Sequence, residues 1–240
     1  MDEGRLQIID VRHQSSALIE ALRQRSLEDL SPEIEATTRR ILEQVRAEGD
    51  RAVVEFTRQF DCPSLTVERL RVTPREMEAA YAQVSPEWVG AFRHARENIF
   101  AFHERLRPHS WLDSFDGLWL GQRIMPLAAV GIYVPAGKAP LPSTLAMCAV
   151  PARVAGVERV VLASPPQRDG AMHPTMLVAA AECGVDEVYR MGGAQAIAAL
   201  AYGTESIEAV DKIVGPGNPY VITAKKLVYG AVGIESLPGP

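Results

Sequence analysis

The chain has 240 residues, is 47% hydrophobic and 23% charged, and carries a formal net charge of −5. That balance suits a soluble globular protein with a sizeable core of its own, and an acidic chain without a basic run argues against nucleic acid or an anionic membrane as partner. Three widely spaced cysteines, Cys62, Cys148 and Cys183, offer neither a disulfide framework nor a cysteine-built metal site, and no apolar run reaches the ~20 residues of a membrane span.

The opening "MDEGRLQIIDVRHQ" lacks the apolar core of a secretory signal, so a reducing, cytoplasmic setting is expected. The first hundred residues read as helical. Ser31-Pro32 is a cap followed by proline at the first helical position, and Ile34, Ile41, Leu42 and Val45 recur at helical spacing. Gly49-Asp50 interrupts, and Ala52, Val53, Phe56 and Phe60 suggest a second helix. Thr-Pro opens "TPREMEAAYAQV", and Ser-Pro opens "SPEWVGAFRHARENIFAFHERL", with Trp88, Phe92, Ala95 and Ile99 on one face. His94 and His103 are nine apart, which is no metal pair, and they read as surface or half-buried histidines.

Near residue 115 the pattern changes. "GLWLGQRIMPLAAVGIYVP" is aromatic and β-branched and reads as strands. Strand and helix then alternate. "ERVVLASPP", "DEVYRMGG", "VDKIVGPG" and a short "AVGIES" are strands. "LPSTLAMCAVPARVAG", "HPTMLVAAAECG", "AQAIAALAYG" and "PYVITAKKLVYG" are helices. Continuous apolar strands between helical units of this length predict a parallel sheet covered on both faces. The expected organisation is an N-terminal arm over 1–30 and a mostly helical, incomplete α/β unit over 31–126. A doubly wound, Rossmann-like domain follows over 127–240.

In such a sheet, ligands bind at the carboxyl ends of the strands. Four loops fall there: "VPAGKAPLPST", "SPPQRDGAMH", "MGGAQA" and "GPGNPY". None completes a phosphate motif. Gly137-Lys138 is followed by alanine and proline, and "GPGNPY" has Tyr220 where the dinucleotide fingerprint needs a third glycine. Locally, Asn218 is a good helix cap with Pro219 at the first helical position, so this loop also reads as an ordinary strand-to-helix turn. Tyr133, leading into the first loop, is either core packing or a residue that stacks on or hydrogen-bonds a flat ligand. Gln195 is either a helix-start residue or an amide that reads a ribose or carboxamide. No Ser-centred triad, and no His, Cys and carboxylate trio with metal spacing, is present.

"VGIYVPAGKAPLPSTLAM", "MGGAQAIAALAYGTESI" and "VDKIVGPGNPYVITAKK", with "AEGDRAVVEFTRQFD" upstream, closely resemble histidinol dehydrogenases over nearly the whole chain. Ala136 stands where the family often has a second glycine beside Gly137. The resemblance implies an aldehyde-dehydrogenase-like arrangement of two α/β units in a cytoplasmic homodimer that uses NAD and zinc. It implies oxidation of L-histidinol through L-histidinal to L-histidine, with two hydride transfers. By motif, Tyr133, Gln195 and Asn218 fall where the family contacts NAD. The family's zinc ligands, its acid–base Glu-His pair and a substrate-contacting serine after a Gly-Pro such as Gly239-Pro240 are expected further on. The chain therefore reads as the NAD-side part of a longer enzyme, unable to turn over histidinol alone and with apolar surface left uncovered. Two alternatives stay open: a non-catalytic module that binds a nucleotide or a protein, and a paralogue acting on another amino alcohol or sulfonate.

Overall fold

The structure is a computed structural model and describes residues 31–136 and 139–236. The expected N-terminal arm, Gly137-Lys138 and Gly239-Pro240 lie outside the described residues. Four helices come first: α1 (Pro32–Glu48), α2 (Asp50–Phe60), α3 (Pro74–Ala80) and α4 (Pro86–Leu106). Each Ser-Pro or Thr-Pro start works as expected. The Ser31, Thr73 and Ser85 hydroxyls accept from the backbone N–H three residues on, and Glu76 returns a bond to the Thr73 N–H.

A hairpin follows, β1 (Trp111–Phe115) paired antiparallel with β2 (Leu118–Gln122). Its turn is Asp116-Gly117, both with positive φ, as a tight two-residue hairpin requires. The rest alternates: β3 (Ala129–Tyr133), α5 (Pro142–Val154), β4 (Arg159–Ser164), α6 (Pro174–Glu182), β5 (Glu187–Arg190), α7 (Gly193–Tyr202), β6 (Lys212–Val214), α8 (Pro219–Val228) and β7 (Gly233–Ile234). The five strands from β3 onward form one parallel sheet in the order β5-β4-β3-β6-β7. This is the doubly wound, Rossmann-like α/β fold expected.

Each face of the sheet carries its own core. On one, Ala129, Tyr133, Val161, Ala163, Tyr189 and Ile213 pack with α1, α2, α7 and α8. On the other, Val130, Ile132, Val160, Leu162 and Val188 pack with α3, α4, α5 and α6. The alternation along each strand sends successive side chains to opposite cores. Residues 31–106, expected in an earlier unit, thus supply helices to both faces. Helix α7, alanine-rich and apolar around its whole circumference, is buried on all sides.

The N-terminal segment also closes a sheet edge. Arg71 bridges Tyr189 antiparallel, with Val72 N–H donating to Val188 and Arg190 N–H to Leu70. The Arg190 side chain, 2% exposed, holds this seam. It donates to the Gly170, Arg69 and Arg71 carbonyls at 3.0, 2.9 and 3.2 Å and pairs with Glu76. By contrast, the hairpin stands open: Trp111, Leu112, Phe115, Leu118, Trp119 and Leu120 are all exposed.

Substituting Arg190 by Met orphans three carbonyls at once. Urea denaturation of Arg190→Met should show a loss of about 2–4 kcal/mol, whereas Arg39→Ala, which breaks only the exposed Arg39–Glu35 pair, should stay within about 0.5 kcal/mol.

Candidate functional site

The strand order reverses between β3 and β6: from β3 the chain steps to β4 and β5, then crosses back to β6 and β7. Loops leaving the carboxyl ends of β3 and β6 therefore diverge, and a crevice opens between them. Ile132 pairs with Val214, so Tyr133 and Gly215 end the two strands side by side. Gly215 has φ 113°, and a Cβ there would overlap the Tyr133 carbonyl oxygen. Both backbone polar groups of Gly215 are held from below. Lys225, wholly buried on α8, donates to the Gly215 carbonyl at 3.1 Å and to Glu235 Oε1 at 2.7 Å. The same Glu235 oxygen accepts the Gly215 N–H at 2.8 Å.

Across β3 lies a second corner, Gly192-Gly193 at the end of β5. The Tyr133 hydroxyl, on a side chain 3% exposed, accepts the Gly193 N–H at 3.2 Å. Gly193 has φ 58°, and a Cβ there would stand 2.7 Å from Gln195 Oε1. Gln195 is 1% exposed, and neither its oxygen nor its nitrogen has a partner. Asp61 Oδ2, at the end of α2, and Ser164 Oγ, at the end of β4, are also buried without partners. The Cβ position on Gly192 is 3.1 Å from Asp61 Oδ2. Desolvation raises the Asp61 carboxyl from its usual 3.8 to about 6. Burial likewise pushes the Tyr133 phenol up to about 12, with the nearby Asp61 charge adding to it.

Asn218 caps α8. Its Oδ1 accepts the Val221 N–H at 3.1 Å, and the side chain is exposed. The structure thus brings Tyr133 and Gln195 together at the Gly193 corner. Asn218 sits on the neighbouring turn after β6 and, among the described residues, hydrogen-bonds neither of them. A cavity of about 1070 Å³ lies elsewhere, behind the β6 turn between α5 and residues 124–127. Its lining mixes apolar residues with polar ones, among them His103, His109, Cys148, Lys212 and Glu235, and none of the three predicted residues faces it.

Comparison with known proteins decides the family. The histidinol dehydrogenase family model matches residues 23–240. The chain belongs to the histidinol dehydrogenase family. It is 50% identical over 236 residues to the histidinol dehydrogenase of Synechococcus sp., covering 98% of this chain and 54% of that one. It is 53% identical over 225 residues to that of Symbiobacterium thermophilum, covering 93% and 51%. The crystal structure of histidinol dehydrogenase from Elizabethkingia anophelis superposes with a TM-score of 0.82 at 35% identity, over 88% of this chain and 48% of that one. The chain spans about half the length of the histidinol dehydrogenases it matches.

Family patterns did not point to three residues of this corner and turn. Lys225 is legible in retrospect, because Val221, Ala224, Lys225 and Val228 share the apolar face of α8. Glu235 and Asp61 carry no local signal; only the fold sets them against Gly215 and Gly192. Among the described residues no group of three or more His, Cys, Asp or Glu could hold a metal ion, so the zinc expected of histidinol dehydrogenases finds no fitting ligand set there. Among them, too, no helix is long and apolar enough to cross a membrane.

Two outcomes follow for stability. Lys225→Met strips the Gly215 carbonyl and Glu235 of their donor, and chemical denaturation should register about 2–3 kcal/mol lost. Asp61 acts in the other direction. Its folded-state carboxyl holds a proton more tightly than the unfolded one, so its contribution is favourable below pH 3.8 and is lost as the pH rises through about 6. Asp61→Asn lacks that loss. Its stability relative to wild type should climb between about pH 4 and pH 6 and stay level above, as measured by denaturation across that range.

Proposed function

We propose that residues 127–236, with the helices that cover their sheet, are the NAD-side half of an enzyme that oxidises L-histidinol through L-histidinal to L-histidine. The observation that carries this is the Gly193 corner, where the Tyr133 hydroxyl and the unpartnered, buried Gln195 amide meet at strand carboxyl ends. Family membership supports the reaction, and the switch point between β3 and β6 supports the crevice as the ligand's place.

The residues present fit a dinucleotide. A phenol held at about 12 stays protonated at neutral pH. Its oxygen accepts the Gly193 N–H, which leaves its own proton for a ligand oxygen. The Gln195 amide adds a donor and an acceptor where water is excluded, so each counts for more than on the surface. Asn218 uses Oδ1 on its helix, which leaves Nδ2 to donate outward. When bound, NAD supplies the hydride acceptor. What these side chains do is bind, orient and exclude water. The remaining acid–base chemistry, the homodimer and the cytoplasmic location belong to the proposal for the whole protein. So does a second α/β unit. The exposed hairpin and residues such as Met125 and Leu127 offer it an apolar surface.

Calorimetric titration with NAD tests the reading. Gln195→Ala and Asn218→Ala should each weaken binding by about tenfold, the cost of one buried or charge-directed hydrogen bond. Unchanged affinity in both variants would sink the cofactor assignment.

A further inference from the structure

In a doubly wound sheet that binds NAD, the ribose acid commonly stands near the end of the second strand, where it accepts from the 2′-hydroxyl. Here the second strand of that order is β4, and it ends in Ser164-Pro165 with no acid. A carboxylate reaches the same edge by another route. Asp61 ends α2, its own N–H held by the Thr57 carbonyl at 2.9 Å, and its Oδ2 lies buried against Gly192 beyond β5. Pro165 presses on Gly192 from the β4 side, with its Cβ 2.8 Å from where a side chain would begin. The glycine is thus required if strand end and carboxylate are to meet.

Two buried groups on this face of the corner have no partner: Asp61 Oδ2, and the Gln195 amide through both its atoms. Native cores leave few such atoms, and each costs about 1–3 kcal/mol. Their shared need is one ligand that brings several hydroxyl donors and an acceptor. An ionised carboxylate only accepts, so it matches a vicinal diol and repels a phosphate. Its position beyond β5, on the far side of β3 from Asn218, assigns the diol to the adenosine half. The first three strands of such a sheet cradle one mononucleotide, and the strands past the switch point cradle the other.

We propose that Asp61 is a cofactor-specificity residue. Its carboxylate accepts the hydroxyls of the adenosine ribose, beside the Gln195 amide, and so selects NAD over NADP. The inference rests on the NAD reading above and adds to it a residue, supplied by the N-terminal helices, and a direction of preference.

Titration of the whole chain with NAD and with NADP tests it. Wild type should bind NAD about tenfold or more tighter than NADP, and Asp61→Asn should bring the two within about threefold by weakening NAD. The wild-type ratio alone is decisive if the variant does not fold: equal affinity for the two nucleotides overturns the proposal. A ratio unchanged in folded Asp61→Asn overturns it too. If Gln195→Ala and Asn218→Ala still weaken NAD in that case, the cofactor reading survives and only the role of Asp61 falls. No binding of NAD by wild type removes both.

Discussion

Everything at the carboxyl edge depends on how β3 and β6 finish. The two strands must end in contact for a switch-point crevice to exist, and contact is possible only because Gly215 presents no side chain to the Tyr133 carbonyl. Holding that turn takes a buried ammonium. Desolvating a lysine costs several kcal/mol unless its protons are bonded. Lys225 meets the condition with one carbonyl and one carboxylate, and Glu235 closes the ring through the Gly215 N–H. The ring also ties the turn after β6 to the residue after β7, so the last described strand helps to fix the crevice wall. Asn218, three residues past Gly215, inherits that rigidity.

The sheet could not keep this edge on its own. Strands of two to six residues gain little from their ladders, and β6 has only Lys212–Val214. Their stability comes from burial on both faces, and half of that cover comes from residues before 107. The N-terminal helices therefore do structural work for a site they adjoin at one point, the end of α2. The fold joins the two roles, since the helix that packs against α7 also delivers Asp61 to Gly192.

Much of the architecture was legible. Proline-led caps, glycine stops and apolar periodicity gave the helices, and continuous apolar runs gave the parallel strands, because these signals are local. The first hairpin strand, Trp111–Phe115, escaped a strand reading that began at Gly117. What else escaped was long-range. Nothing near Arg71 says that it will bridge Tyr189, and nothing near Asp61 says that it will meet Gly192. Ala95 was expected on the packed face of α4 yet is exposed, as Val89 and Phe92 carry the burial. At the site, Tyr133 and Gln195 could be named from motif, but their convergence through Gly193 needed the fold. Asn218 reads as a cap from its neighbours alone, and it is one.

The polar corner sets stability against function in one place. Buried atoms without partners destabilise the free chain, and a raised carboxyl says the same of Asp61 in another way. A packed apolar corner would be cheaper to fold. A ligand that satisfies those atoms returns the lost free energy as binding, since anything bound only by the native state stabilises it in proportion to the logarithm of its concentration over its dissociation constant. Such a site is tight only where its surroundings hold the groups in position before the ligand arrives. The Arg190 seam below β5 and the Lys225 ring below β6 do this from either side of β3. Rigid strand ends with unsatisfied groups between them are what a nucleotide crevice requires, and here the glycines at 192, 193 and 215 let the backbone come close enough to supply them.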